Sequence, residues 1–339
     1  MANRDMLAIG TSAGGFEALR SLARAFPADF PAAILVTIHL AHGFRSELER
    51  ILSGDGPLPA AFAEDGMKPE RGHIYLAPAG CHLLADGTLS LGHGPRENNT
   101  RPAIDPMFRS VAVCCGPRAV GAVLTGTMAD GAAGLWALKR CGGIAVVQDP
   151  EDAAYPEMPT TALIQAKPDH IVKLVEMPEL LTALARSPAG QAVPVPDSIR
   201  FEVSIARDGR NAMSDLDRFG RRSVLTCPDC NGIMWEIDEG ELVRYRCHVG
   251  HAYTAELMAL ALDETLHRAL SNGLRALEER SALAQKLGHE ARERGHRRVA
   301  DSWARKAEET EREATIVRDS LQRLDRAAAA DEKRRAAAE

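Results

Sequence analysis

The first 185 residues alternate short apolar runs with amphipathic segments, the pattern of a parallel sheet covered by helices. Strands are predicted at Met6–Ile9, Ala33–Ile38, Ala119–Leu124 and Gly143–Gln148. Helices are predicted at Phe16–Ala25, Arg45–Leu52, Asp105–Cys114, Ala132–Arg140 and Thr160–Ala166. Between them, Gly72–Leu91 reads as an antiparallel insertion with strands Ile74–Ala77, His82–Ala85 and Thr88–Leu91, Asp86-Gly87 forming a hairpin turn. The expected fold class is α/β, a doubly wound and mostly parallel sheet over residues 1–185.

The pattern then changes. Residues 186–200 are rich in proline and small residues, and 186–222 as a whole reads as a linker, with an edge strand at Phe201–Ile205. Residues 223–255 carry two cysteine-containing knuckles around a hairpin that turns at Asp238-Glu239-Gly240. From 256 to 326, apolar residues recur at helical spacing (Leu257, Leu260, Leu270, Leu274, Leu277, then Trp303, Ala307, Ala314, Leu321). Gly288 and Gly295 bracket the expected turn of an antiparallel helical hairpin, and residues 327–339 are expected to fray.

Composition narrows the function classes. The 339 residues, 45% of them hydrophobic, suffice for two or three domains. A net charge of −6 with 4% aromatics argues against a nucleic-acid binder. No apolar stretch approaches the roughly 20 residues that span a bilayer. Arg4 and Asp5 precede only a short apolar run, so no signal peptide is expected and the predicted location is cytoplasmic. Of seven cysteines, Cys81, Cys114, Cys115 and Cys141 are scattered in apolar surroundings and are expected to be buried thiols.

The candidate chemistry begins at Met6–Gly15, MLAIGTSAGG: a strand, a turn of small residues, then a helix. Such a turn either lays backbone N–H groups against a phosphate or presents a serine at the exposed end of a sheet. The glycines miss the G-x-G-x-x-G spacing, and the second strand ends in His39 rather than an acidic residue, which disfavours a dinucleotide loop. A third strand runs into Thr125-Gly126-Thr127-Met128-Ala129-Asp130-Gly131. Ligands of open parallel sheets bind beyond the carboxyl ends of the strands. Ser12, His39 and Asp130 could therefore converge as nucleophile, general base and orienting carboxylate. Taken singly, they also read as a helix N-cap, a strand-end histidine and a turn aspartate. The order Ser…His…Asp differs from that of α/β-hydrolases.

GTSAGG, the strand ending in His39, Arg101–Ser110 (RPAIDPMFRS), LTGTMADG, Gln148-Asp149-Pro150 and Met158-Pro159 together resemble the catalytic domain of the chemotaxis receptor methylesterases, the protein-glutamate methylesterases. The resemblance covers about residues 5–180. It implies hydrolysis of glutamate γ-methyl esters on receptor helices, and deamidation of glutamines, with Ser12, His39 and Asp130 in the three roles. It further implies oxyanion donors among the backbone groups of Ala13, Thr127 and Met128. Three positions depart from the family pattern. Ala13 replaces a threonine, Ile38-His39-Leu40 replaces Gln-His-Met, and Thr127-Met128 alters the Gly-Met-Gly-x-Asp-Gly loop. With five residues before the first strand, no receiver domain is expected within the chain, and gating is expected from a partner or the C-terminal half. Implied partners are methylated chemoreceptor-like helices, a methyltransferase or a separate response regulator. Neither nucleic acid nor membrane insertion is expected, and the helical hairpin offers a route to a homodimer.

Cys227-Pro228-Asp229-Cys230 and Cys247-His248-Val249-Gly250-His251 have the spacing of a tetrahedral zinc site. The expected ligands are Cys227, Cys230, Cys247 and His251, with His248 the alternative fourth. Four protein ligands leave no open position, so the zinc is read as structural and no cofactor is expected for catalysis. Two functions follow: a serine esterase on glutamyl methyl esters, or a catalytically silent scaffold retaining the methylesterase fold. The altered Thr127-Met128 loop motivates the second.

Overall fold

A computed structural model describes residues 3–39, 47–209, 213–239 and 242–338. The chain divides into two compact units, Met1–Met258 and Ala259–Glu339.

The first unit opens with β1 (Met6–Thr11), α1 (Gly15–Ala25), β2 (Ala33–Ile38), α2 (Leu48–Asp55), β3 (Ala60–Phe62) and β4 (Ile74–Leu76). A hairpin of β5 (His82–Ala85) and β6 (Leu89–Gly92) follows, then α3 (Ile104–Cys115), β7 (Ala119–Val123), α4 (Ala132–Arg140) and β8 (Ile144–Gln148). Next come α5 (Glu157–Ala166), β9 (His170–Val172), α6 (Met177–Arg186), α7 (Asp197–Asp208) and α8 (Met213–Phe219). Seven strands form one sheet in the order β3-β4-β2-β1-β7-β8-β9, every neighbouring pair parallel. Every residue of β1 and β2 is buried, because both faces of the sheet are covered. Leu7 and Ile9 face a core built with α1, α2 and α6, while Met6 and Ala8 face one built with α3, α4 and α5. The chain leaves β1 toward β2 and later returns to its other side as β7. The carboxyl ends of these three adjacent strands therefore meet at the switch point where such sheets bind ligands.

The pattern reading differs from the structure in several places. Ile74–Leu76 pairs in parallel with β2 and β3 in the main sheet, and of the three strands expected in Gly72–Leu91 only the last two, β5 and β6, pair antiparallel. The edge strands β3 and β9 have three residues each, too few to show a period. The first residues of the helix expected at Arg45–Leu52 lie outside the described residues, and α2 begins at Leu48. The stretch read as a linker carries α7 and α8. Phe201–Ile205 is helical: Ile199, Glu202, Val203, Ile205 and Ala206 are buried, a helical spacing. The apparent alternation arose from counting Glu202 as a solvent-facing residue, whereas it is buried against arginines.

A second, antiparallel sheet comprises β10 (Arg221–Thr226), β11 (Ile233–Glu239), β12 (Leu242–Cys247) and β13 (Ala252–Thr254). Glu239 pairs with Leu242, and Gly240 of the expected turn lies outside the described residues.

The second unit is a helical hairpin of α9 (Ala255–Glu293), which starts within the first unit, and α10 (Arg297–Ala338). Ser281, Ala284, Ala300, Ala307, Thr310, Ala314 and Leu321 are buried in it. Leu266 is 48% exposed, so small residues rather than leucines dominate its tightest contacts. The turn falls at Gly295, whereas α9 runs through Gly288, where a Cβ would meet Trp303 at 3.4 Å. There the glycine serves close packing. The stretch expected to fray continues α10 to Ala338. Among the described residues, no helix is long and apolar enough to cross a membrane.

Candidate active site

Ser12 follows β1 directly. Thr11 Oγ1 donates to the Thr125 carbonyl at 2.8 Å, and the Ser12 N–H donates to the same carbonyl at 3.1 Å, tying this turn to the end of β7. Gly14 then adopts φ +73°, a left-handed geometry that glycine tolerates, and α1 begins. No side chain caps α1, so the Ser12 hydroxyl is not spent on a helix terminus.

The hydroxyl instead meets His39, the residue after β2. Ser12 Oγ lies 2.9 Å from His39 Nδ1, and His39 Nε2 lies 2.8 Å from Asp130 Oδ2. Because a carboxylate only accepts, the imidazole proton sits on Nε2 and leaves Nδ1 free to accept from the serine. The Asp130 side chain is 2% exposed and that of His39 23%, so the serine–histidine end of the relay opens to solvent while its anchor is sealed.

Asp130 is held from four directions. Its Oδ2 also accepts the Ile104 N–H at 2.6 Å, and its Oδ1 accepts Asn98 Nδ2 at 2.8 Å and the Asp105 N–H at 3.3 Å. Burial pushes the Asp130 pKa up, but the hydrogen bond from His39 and the attraction of its ring once protonated, with the Ile104 and Asn98 donors, hold it below the usual carboxylate range. Asp105 stands behind it, accepting the Gly131 and Gly134 N–H groups on Oδ1 and Asn98 Nδ2 on Oδ2. Burial and the neighbouring Asp130 charge push Asp105 up to about 7. One asparagine amide thus bridges two buried carboxyl groups.

The loop after β7 closes over the serine. A Cβ on Gly126 would lie 2.9 Å from both the Ser12 Cβ and Met158, so only glycine fits this approach. Gln148 Oε1 accepts the Thr125 N–H at 2.9 Å, and Thr125 Oγ1 accepts the Tyr155 N–H at 2.8 Å. Met128, with φ +69°, donates its N–H to Glu157 Oε2 at 2.9 Å. This expected oxyanion donor is therefore engaged by an acidic side chain. The Ala13 and Thr127 N–H groups have no acceptor among the described residues. Phe16 in the first turn of α1 and Met128 and Tyr155 in the loops are exposed large side chains around the serine.

In the ribbon, one ligand atom from each of Cys227, Cys230, Cys247 and His251 lies within 4.8 Å of the others. Cys230 Sγ is 3.6 Å from Cys247 Sγ, and His251 Nδ1 is 3.7 Å from Cys227 Sγ and 3.5 Å from Cys247 Sγ. Thiolates about 2.3 Å from a tetrahedral zinc stand roughly 3.8 Å apart, so the cluster could hold such an ion. His248, the alternative ligand, packs its ring against Gly232 and is outside the cluster.

Sequence reasoning gave Glu97, Asn98 and Asp105 no role. Asp105 lies inside the family-like segment, and Glu97-Asn98-Asn99 is a polar run just before it. Nothing local marks these residues as partners of Asp130; the sheet brings them there.

Residues 7–181 match the family described as CheB methylesterase. The chain is 33% identical over 192 residues to "Protein-glutamate methylesterase/protein-glutamine glutaminase 2" of Methanosarcina mazei, covering 54% of this chain and 52% of that protein. It is 39% identical over 185 residues to "Protein-glutamate methylesterase/protein-glutamine glutaminase 1" of Xanthomonas campestris pv. campestris, covering 53% and 51%. The chain thus spans about half the length of these relatives. It is also similar to the crystal structure of the Thermotoga maritima CheB methylesterase catalytic domain, with a TM-score of 0.52 at 29% identity, covering 54% of this chain and 100% of that one.

Proposed function

The chain belongs to the CheB methylesterase family, and we propose that it is a serine hydrolase removing glutamate γ-methyl esters from a chemoreceptor-like protein. The observation that carries this is the unbroken Ser12–His39–Asp130 relay, at 2.9 and 2.8 Å. His39 Nδ1 takes the Ser12 proton as Oγ attacks the ester carbonyl. The buried Asp130 carboxylate keeps the Nε2 tautomer and balances the imidazolium that forms. Backbone N–H groups at Ala13 and Thr127 receive the developing oxyanion. The imidazolium then protonates the departing methoxide, releasing methanol. Water repeats the sequence on the acyl-serine and leaves a free glutamate. An amide substrate would lose ammonia by the same steps, which is glutamine deamidation.

The same reading takes methylated receptor helices as partner and the cytoplasm as location. In the ribbon, Cys227, Cys230, Cys247 and His251 would hold a structural zinc ion that ties together a sheet too small for a core of its own.

One observation favours the silent-scaffold alternative: the Glu157 carboxylate on the Met128 N–H puts negative charge beside the oxyanion position. Two measurements separate the readings. Ser12→Ala should abolish methanol release from a methylated receptor while the melting temperature stays within a few degrees. A fluorophosphonate probe should label Ser12 of the unmodified chain, and an unlabelled serine in folded protein would favour the scaffold.

A further inference from the structure

Five buried charged side chains have no part in the ester chemistry. Glu97 precedes α3, Arg109 lies on α3, Glu202 on α7, and Arg244 and Arg246 on β12; each is 3% exposed or less. Arg109 pairs with Glu97, and with Glu202 at 3.2 Å. Arg244 meets Glu202 at 2.7 Å, and Arg246 meets Glu97 at 3.0 Å and Glu202 at 3.4 Å. Burying this many charges is a costly way to gain stability; its best-attested use is to fix register. Here the ion pairs join the 94–100 loop, through Glu97, to α3 and to β12 of the ribbon.

That loop ends at the relay. Arg246 is the residue before the ligand candidate Cys247, and its Nη1 donates to the Gly250 carbonyl within the same knuckle at 2.7 Å. Its Nη2 donates to Glu97 Oε1. The next residue, Asn98, donates its N–H to the Ala252 carbonyl of β13 at 2.8 Å and sits at φ +51°. Asparagine enters that left-handed region more readily than most residues. Its side-chain amide then reaches Asp130 Oδ1 at 2.8 Å. The knuckle also presses on the loop directly: a Cβ on Gly250 would lie 3.0 Å from Pro95 and 2.6 Å from Ile205 of α7. Cys247, Arg246, Glu97, Asn98 and Asp130 form one connected path within the first unit.

Resting on the esterase reading above, we propose that the ribbon is a positioning element for the active site. Its ordered second knuckle holds Glu97 and Asn98 so that Asn98 fixes the Asp130 carboxylate against His39. Zinc(II) on Cys227, Cys230, Cys247 and His251 orders that knuckle and thereby sets the turnover rate at Ser12 without touching substrate. Asn98 and Glu97 are positioning residues, acting through Asp130.

The test uses the full chain with p-nitrophenyl acetate, before and after removal of zinc by a chelator. Misplacing a catalytic group by about 1 Å costs on the order of 100-fold. Chelation should therefore lower kcat by about that factor at unchanged KM, and added zinc should restore it. Asn98→Ala should begin near the lowered value, and chelation should take it no further, because the path is already cut. Glu97→Gln, which keeps its shape, should show an intermediate loss and serves if Asn98→Ala does not fold. Chelation that spares the wild-type kcat, or lowers the variant by the same factor, would overturn the proposal. Amide exchange judges it without turnover. Chelation should speed exchange of the Ile104 and Gly131 amides, which bond to Asp130 and Asp105, while β7 stays protected. Unchanged exchange there, or loss of protection across β7 as well, would refute the coupling. Zinc-loaded protein that neither turns over nor labels at Ser12 would sink the esterase reading alone, and the exchange result would still decide the coupling.

Discussion

Replacing Asp130 by asparagine tests the relay with a nearly isosteric change. In the wild-type chain Oδ2 accepts from His39 Nε2 and Ile104, and Oδ1 accepts from Asn98 and Asp105. An asparagine amide has one oxygen for four donors. With its oxygen toward His39, its NH2 faces the Asn98 and Asp105 donors and leaves them buried without acceptors. Each such orphan costs about 1–3 kcal/mol. With its NH2 toward His39, Nε2 must become the acceptor, the proton moves to Nδ1, and Ser12 loses its base. The second orientation keeps the Asn98 and Asp105 bonds, reverses the one to His39 and orphans only the Ile104 N–H, against two orphaned donors in the first, so it is the one expected. A wrong tautomer in a serine–histidine relay costs about 10⁴ in kcat, or about 5 kcal/mol of barrier at ~1.4 kcal/mol per tenfold. The assay is kcat on a methylated receptor peptide beside the rate of fluorophosphonate labelling at Ser12, with thermal melting as a control on folding. Both rates should fall together by about that factor. A folded Asp130→Asn protein within tenfold of wild type in both would refute the assignment of Asp130 as the orienting carboxylate.

Two further predictions rest on the surrounding charges. Asp105, raised to about 7 from 3.8, holds a proton in the folded state that the unfolded chain releases between those values. Its contribution to stability is therefore full below about pH 4 and declines as pH rises toward 7, by at most about 4 kcal/mol. The melting temperature of Asp105→Asn relative to wild type should climb across that window, and a flat difference would contradict it. Glu157→Ala removes the carboxylate from the Met128 N–H and frees that donor for the oxyanion. It should raise kcat, up to the 10²–10³ one such donor contributes, and a fall in kcat would show that Glu157 instead braces the loop.

How much of this was legible in the sequence depended on the range of the interactions. β1, β2, β7 and β8 follow from apolar runs, because strands buried on both faces must be apolar throughout. Ser12, His39 and Asp130 were legible because the first two follow such runs directly and the third lies in the loop that leaves one, and parallel sheets expose those ends. The ligand spacing of the ribbon is local and was equally readable. β3 and β9 were not, being three-residue strands specified by their neighbours. Glu202 misled the reading of α7, since a carboxylate buried by distant arginines looks in sequence like a surface residue.

The chain alone therefore determined a parallel sheet with a serine, a histidine and an aspartate beyond its strand ends, and a cysteine–histidine cluster after it. It did so because backbone periodicity and ligand spacing are properties of neighbouring residues. Only the tertiary structure decided that these two features are joined. Asn98 and Glu97 lie in a loop with no periodic signal, 32 residues from Asp130 and 149 from Arg246 for their respective contacts. Hydrogen bonds and ion pairs across such separations exist only once the sheet, α3 and the ribbon are packed, and pattern along the chain carries no record of them.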